Sequence, residues 1–330
     1  MYTHNDIHIS IYTQTEEAYS MTDLVIRQTT ELQAQTLNED LFQSFLSYLD
    51  ASPKTVETYT KAIRQFYKYI GERGISQPSR EDVIDFRDSL RADHKPTTIQ
   101  NYITALRLFF QWTAQSGLYP DVAQHIKGAK LTKEHKKDYL TSSQIKAIMR
   151  RIDTSDAQGR RDFAIFALMV TGGLRDIEVS RANIEDLRTL GDSVVLYIQG
   201  KGREERSEYI KVMPEVEKAI RASLADRKDT DGSQPLFISL SNNSKGERIS
   251  TRSISGIVKA SFRRAGYDSD RLTAHSLRHT AVTLSLLGGK SLQEVQQFAR
   301  HTNISTTQIY AHNLDRAKND CEKTIAKAIF

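Results

Sequence analysis

Apolar residues recur every three to four positions through most of this chain, the spacing that puts them on one face of an α-helix. The first such run sets Leu41, Phe42, Phe45, Leu46 and Leu49 on one side. The next opens with Ser52-Pro53, a capping hydroxyl and then a proline at the first helical position. It carries Val56, Tyr59, Ile63, Phe66, Tyr67 and Ile70, and Gly71 and Gly74 are expected to end it. Ser79, with Asp82 three residues on, marks a third start ahead of Val83, Phe86 and Leu90. A fourth begins near Pro96 and buries Ile99, Tyr102, Leu106, Phe109 and Phe110. Four short amphipathic helices predict a compact bundle over residues 38–117.

The pattern then changes. Residues 118–140 hold Pro120, Gly128 and five lysines between Lys127 and Lys137, and read as a basic linker. Beyond it, helices are expected at about 142–153, 160–172, 214–227, 251–265, 275–288 and 291–300. Ser193–Gln199 and Ser207–Val212 read as β-strands, and Gly200-Lys201-Gly202 between them predicts a hairpin. The fold class is therefore mainly α with a small β-sheet: a four-helix N-terminal domain, then a mixed α/β domain over 141–313. Leu314 to Phe330 has helical character, with Ala317, Cys321, Ile325, Ala326, Ile329 and Phe330 on one side.

Charge sharpens this division. Residues 1–37 form an acidic, weakly periodic extension: up to residue 36 they hold five acidic groups and one basic residue, Arg27. Residues 37–120 balance at ten of each sign, and 121–330 hold 35 basic against 26 acidic residues, a net +9. A basic half of this size suits a polyanion, most simply nucleic acid. The single cysteine, Cys321, excludes a disulfide framework and any multi-cysteine zinc site. The longest strongly apolar stretch, Phe163 to Leu174, is too short to span a bilayer. The first twenty residues have no Lys or Arg, so no secretory signal is read, and a soluble cytoplasmic, nucleoid-associated protein is expected. Met21 offers a second start.

Five pieces of the second domain carry candidate chemistry: Thr171-Gly-Gly-Leu-Arg175-Asp-Ile-Glu178, Gly200-Lys201-Gly202, His275-Ser-Leu-Arg278-His279-Thr280, Ala299-Arg300-His301, and Gln308-Ile-Tyr310-Ala-His312. Each alone has a dull explanation, as a cap, a solubilising lysine or a packing tyrosine. Their order and spacing together resemble the tyrosine recombinase (phage integrase-like) family, and in particular its simple, Xer-like members. His301 falls 23 residues after Arg278, and Tyr310 nine after His301. The resemblance covers roughly residues 38–315. Two departures are an extra glycine before Arg175 and Ala299-Arg300 where Leu-Gly is common, which bears on the local backbone.

The resemblance implies site-specific DNA recombination through a 3′-phosphotyrosine and a Holliday junction, the business of integration and mobile elements. Tyr310 is then the nucleophile, His275 its base, Lys201 the acid for the departing 5′-oxygen, and Glu178 a group that orients Arg175 or His275. Chemistry independent of the resemblance agrees. Arg175 and Arg278 offer fork-like donors suited to phosphate, and His301 adds another. A tyrosine with a pKa near about 10 needs a base at neutral pH. No His-Glu-x-x-His pair, carboxylate cluster or phosphate loop occurs, so neither metal nor nucleotide cofactor is called for.

The implied partners are double-stranded DNA with inverted core half-sites and three further copies of the chain, a homotetramer whose C-terminal helix docks on a neighbour. On the helix from Ser52 the face opposite the core carries Lys54, Lys61 and Lys68; on that from Pro96 it carries Thr97, Gln100, Asn101 and Thr104. Lysines suit phosphates, and Gln and Asn can read adenine. Ordinary solvent-facing residues explain them as well. The alternatives kept open are a type IB topoisomerase-like nicking-closing enzyme and a non-catalytic DNA-binding regulator on the same scaffold.

Overall fold

A computed structural model describes residues 37–130, 138–200, 205–318 and 320–330, with the side chains of 313 and 315–318 left aside. The acidic extension and Lys201 lie outside the described residues. The chain divides near residue 133 into two compact units.

The first unit holds α1 (Glu39–Tyr48), α2 (Pro53–Glu72), α3 (Arg80–Ser89) and α4 (Pro96–Gln115). The hydroxyl of Ser52 accepts from Thr55 N to start α2, and Ser79 and Asp82 form a reciprocal capping box at α3. Gly71 lies inside α2 and only Gly74 follows its end, so one of the two expected stops is a helical residue. The core is aromatic: Phe45 meets Phe109 edge-on at 5.2 Å, and Phe66 meets Phe86 at 5.2 Å and Phe110 at 5.9 Å. Such pairs add about 0.5–1.5 kcal/mol each beyond burial. The segment expected to open the linker belongs here instead. Tyr119, Ala123 and Ile126 are buried in this core, and Tyr119 Oη donates to Pro78 O.

The second unit is built on α6 (Ala157–Gly172), whose residues Ala164 to Val170 are all buried. Around it lie α5 (Ser142–Arg150), α8 (Pro214–Ala225), α9 (Thr251–Arg264) and α10 (Ala274–Leu287). Short α7 (Asp176–Arg181) leads into a three-stranded antiparallel sheet in the order β1 (Leu187–Leu190), β2 (Ser193–Ile198), β3 (Glu208–Lys211). Sequence reading anticipates β2 and β3 but not β1, whose Leu-Arg-Thr-Leu is too short and too exposed to show a period. Leu190 pairs with Ser193 across the Gly191-Asp192 turn.

The end of the chain also differs from expectation. Leu314 lies within α12 (Ile304–Lys318), the helix that bears Tyr310, and a separate α13 (Cys321–Ile329) follows α11 (Leu292–Ala299) and α12. No residue of α13 is buried; Ile325, Ile329 and Phe330 are 57%, 68% and 103% exposed. Among the described residues no helix is long and apolar enough to cross a membrane.

Candidate active site

The site residues come from four local devices of the second unit. The first is the end of α6. Gly173 caps it in the left-handed region (φ 57°, ψ 33°), which turns the chain sharply so that Arg175 becomes the N-cap residue of α7. This is why the Thr171-Gly-Gly-Leu-Arg175 stretch has two glycines: a Cβ on Gly172 would sit 2.4 Å from Ile210 Cδ1, and Gly173 needs the positive φ. Glu178, three residues on, accepts from the backbone N–H of Arg175 at 2.8 Å and from its Nη1 at 2.7 Å. Burial alone would raise the Glu178 carboxyl. Arg300, the Arg175 amide and the Arg175 guanidinium outweigh it and hold the carboxyl below its usual range.

The second device is the first two turns of α10, which carry His275, Arg278 and His279. Arg278 is 1% exposed. Its Nη1 donates to Gly173 O at 2.6 Å and its Nη2 to Ala299 O. Burial, and then the positive charges of Arg175 and Arg300, push it down to about 9, which leaves it protonated at neutral pH. His275 is exposed, with its ring 4.8 Å from that of buried His279.

The third device is the turn after α11. Its C-cap residue is Arg300, in the left-handed region at φ 53° and ψ 46°. That conformation costs a residue with a Cβ about 1–2 kcal/mol. The guanidinium turns inward, with a side chain 6% exposed. Nη2 reaches Glu178 Oε2 and Gly173 O, each at 3.1 Å, and Nη1 reaches Phe298 O at 2.7 Å. The backbone doubt raised by this departure thus resolves into a third guanidinium of the site. Spacing arguments miss it because the motif treats the position as part of a turn.

The fourth is α12, which presents Tyr310. Its ring stacks on that of His301 (6.2 Å, 18°) and packs on His279 (4.9 Å). Tyr310 is 6% exposed, and burial lifts its phenol to about 12 although Arg278 and Arg175 pull the other way. His301 Nδ1 shares a 2.9 Å hydrogen bond with Thr307 Oγ1, from a wholly buried threonine one turn before Tyr310. Burial first, then Arg278, Arg175 and Arg300, press His301 down to about 4. Thr307 is a second site residue that sequence reasoning passed over.

The structure therefore brings Arg175, Glu178, Arg278, His301 and Tyr310 together from the start of α7, α10, the turn after α11 and α12, with His275 reached across His279. Arg175 and Arg300 both bond the Glu178 carboxylate, and Arg278 shares the Gly173 carbonyl with Arg300; Arg175 and Arg278 offer the fork-like donors suited to a phosphate-like anion. Among the described residues no cluster of three or more metal-ligating side chains occurs.

In the first unit, each lysine named from the sequence has an acidic partner on its own helix. Lys54 and Lys61 bond Glu57 at 2.7 Å each, and Lys68 lies 3.7 Å from Glu72. Exposed pairs of this kind are weak, so they exchange readily. Thr97 and Asn101 are exposed on α4, Gln100 is half-buried, and Thr104 Oγ1 donates back to Gln100 O. A Cβ at Gly128 would come 2.1 Å from Gln100 Oε1, so Gln100 is packed rather than free.

Comparison with known proteins decides the family. The model of the Phage integrase family matches residues 138–317, more than half of the chain, and that of the Phage integrase, N-terminal SAM-like domain matches 39–120. The chain belongs to the phage integrase family. Among its relatives in this tyrosine recombinase family is tyrosine recombinase XerC of Pelobacter propionicus, 34% identical over 58% of this chain and 60% of that protein. Tyrosine recombinase XerA of Pyrococcus horikoshii is 30% identical over 84% of this chain and 90% of that protein. The match spans only about half of some other XerC relatives, 51% in Caldanaerobacter subterraneus. Solved integrase-family structures share the fold. XerH bound to a palindromic difH substrate superposes with TM-score 0.67 at 20% identity, covering 81% of this chain and 80% of that one. A lambda integrase dimer bound to a COC′ core site gives 0.65 at 14%, covering 89% and 81%. The mainly helical architecture, with a small sheet in the integrase-type domain, is the one the sequence leads to.

Proposed function

We propose that this chain is a site-specific DNA recombinase acting through a covalent tyrosine intermediate. The observation that carries the reading is the packing of Tyr310 on His301 and His279 in the same cluster as the Arg175–Glu178 pair and Arg278, which is tied to Gly173 O. Arg175 and Arg278 take the non-bridging oxygens of the scissile phosphate, where negative charge gathers during attack. Removing one such donor typically costs about 10²–10³ in rate. His301 is the further donor. Its 2.9 Å hydrogen bond through Nδ1 to Thr307 Oγ1 fixes the ring, which leaves Nε2 as the nitrogen that can donate to the phosphate. Glu178 orients Arg175.

Tyr310 Oη attacks phosphorus and the bond to the 5′-oxygen breaks. The phenol proton passes to His275, and Lys201 gives a proton to the departing oxygen. The product is a 3′-phosphotyrosine and a free 5′-hydroxyl, whose attack on a partner duplex reseals the strand through a Holliday junction with no cofactor. Residues 38–117 clasp the DNA, with Lys54, Lys61, Thr97, Gln100 and Asn101 as contacts. The target is duplex DNA with inverted half-sites, in the cytoplasm. The working form is a homotetramer, and the uncovered apolar side of α13 supports a helix that docks on the next protomer. That surface favours recombination over nicking and closing on a single duplex. The test is Tyr310→Phe on a nicked suicide substrate. It should bind DNA as the wild type does and form no covalent adduct; an adduct in the variant overturns the assignment.

A further inference from the structure

We propose that Arg300 is a positioning residue that clamps Glu178 together with Arg175 and so sets both phosphate-holding arginines. The inference rests on the proposed function for its activity readout, but its geometry is independent of it. Two observations meet at this residue. Its backbone sits at φ 53°, one of only two non-glycine residues in the left-handed region among the described residues. Glycine would fit that turn with less strain, so retaining a long side chain there needs a gain elsewhere. The gain is visible in the contacts. The guanidinium is buried, bonds Glu178 Oε2 and Gly173 O through Nη2 and Phe298 O through Nη1, and leaves Nε buried with no partner.

A guanidinium needed only to cap the turn would be satisfied by the Phe298 and Gly173 carbonyls. Arg300 instead reaches on to the carboxylate that holds Arg175. It also shares the Gly173 carbonyl with Arg278, whose Nη1 bonds the same oxygen. Glu178 and Gly173 O are thus the two acceptors through which Arg300 fixes its neighbours. Without it, Glu178 keeps only Arg175, and Arg175 gains freedom to follow the carboxylate. The arginines then present their donors to an anion in a broader range of geometries, which slows a step that depends on preorganised donors without abolishing binding. Arg300 touches neither the phosphate nor Tyr310 in this scheme and acts through Glu178.

The experiment compares wild type, Arg300→Gly, Arg300→Lys, Glu178→Gln and the Arg300→Gly/Glu178→Gln double variant, using the full chain. Adduct formation on a suicide substrate and DNA affinity are both measured. Arg300→Gly relieves the turn, so the fold is retained, and Arg300→Lys keeps the charge without the fork. The expected result is a loss of adduct rate of about ten- to a hundredfold in Arg300→Gly, a smaller loss in Arg300→Lys, and affinity within about twofold. The double variant should be no slower than the slower single variant, the signature of residues acting as one unit. A readout that needs no activity accompanies this: the His301 titration, followed by NMR in the free protein, should move upward in Arg300→Gly. Failure of the wild type to form adduct would count against the proposed function, while the His301 titration still tests the charge coupling. An Arg300→Gly rate equal to wild type, a loss that adds to that of Glu178→Gln, or an unmoved His301 would each overturn the inference.

Discussion

Acidification is expected to weaken the fold through His301. The ring is half-buried beside three guanidiniums, and burial, then Arg278, Arg175 and Arg300, lower its pKa from 6.5 to about 4. A folded-state value below the unfolded one means that the unfolded chain takes the proton first. The stability this group contributes is therefore complete above about pH 6.5 and is lost as the pH falls through about 4. A shift of about 2.5 units at about 1.36 kcal/mol per unit gives about 3 kcal/mol, and about 2 kcal/mol after discounting for solvent at the exposed edge of the ring. His301→Gln removes the titrating imidazole while the carboxylates titrate alike in both proteins. Urea unfolding at pH 7.5, 5.5 and 4.5 should show the stability advantage of wild type over the variant shrinking by about that amount. An NMR titration should find the His301 ring neutral down to about pH 5. A ring that titrates near 6.5, or a pH-independent difference between the two proteins, would refute the idea that burial and the arginines jointly depress it.

Two further outcomes follow from the packing. Gly173→Ala forces a side chain into a left-handed residue and puts Cβ 3.0 and 3.1 Å from the Phe298 ring, so it should lose about 1–3 kcal/mol by thermal unfolding and slow adduct formation. Wild-type stability in that variant would show that the turn has another conformation open to it. Deleting residues 321–330 removes no buried side chain, so stability should stay within about 0.5 kcal/mol and binding to a single half-site should be unchanged, while tetramer formation and recombination fall. A cut after His312 is a poorer test because it also removes Leu314, which is buried.

How much of the fold is legible in the sequence follows from how locally each element is determined. The helices of the first unit declare themselves through caps and period: Ser52-Pro53 and Ser79/Asp82 do in the structure what their chemistry predicts. Element ends are less legible where the deciding contact is distant. Gly71 carries a stop signal, yet α2 runs past it, since nothing in local sequence says where tertiary packing lets a helix stop. The same holds for Tyr119, Ala123 and Ile126, which sit in a stretch with linker composition and are buried by the bundle. Strand β1 is held by its pairing with β2, an interaction between segments that its own four residues do not encode.

The site shows the same rule at closer range. Arg175, Arg278, His301 and Tyr310 stand out because their spacing is visible along the chain. Thr307 and Arg300 matter through contacts that cross from one element to another. Thr307 bonds a ring six residues away, and Arg300 bonds a carboxylate 122 residues away. An isolated threonine on a helix or an arginine after one is unremarkable by type, so no residue-level signal could single them out. One clue was available for Arg300: arginine replaces the usual glycine at a position that terminates a helix. A side chain in a turn that prefers none must be held by something. Here Arg300 is held by the carboxylate of Glu178 together with the Gly173 and Phe298 carbonyls, so the departure from pattern marks the place where this chain adds a charge to its candidate site.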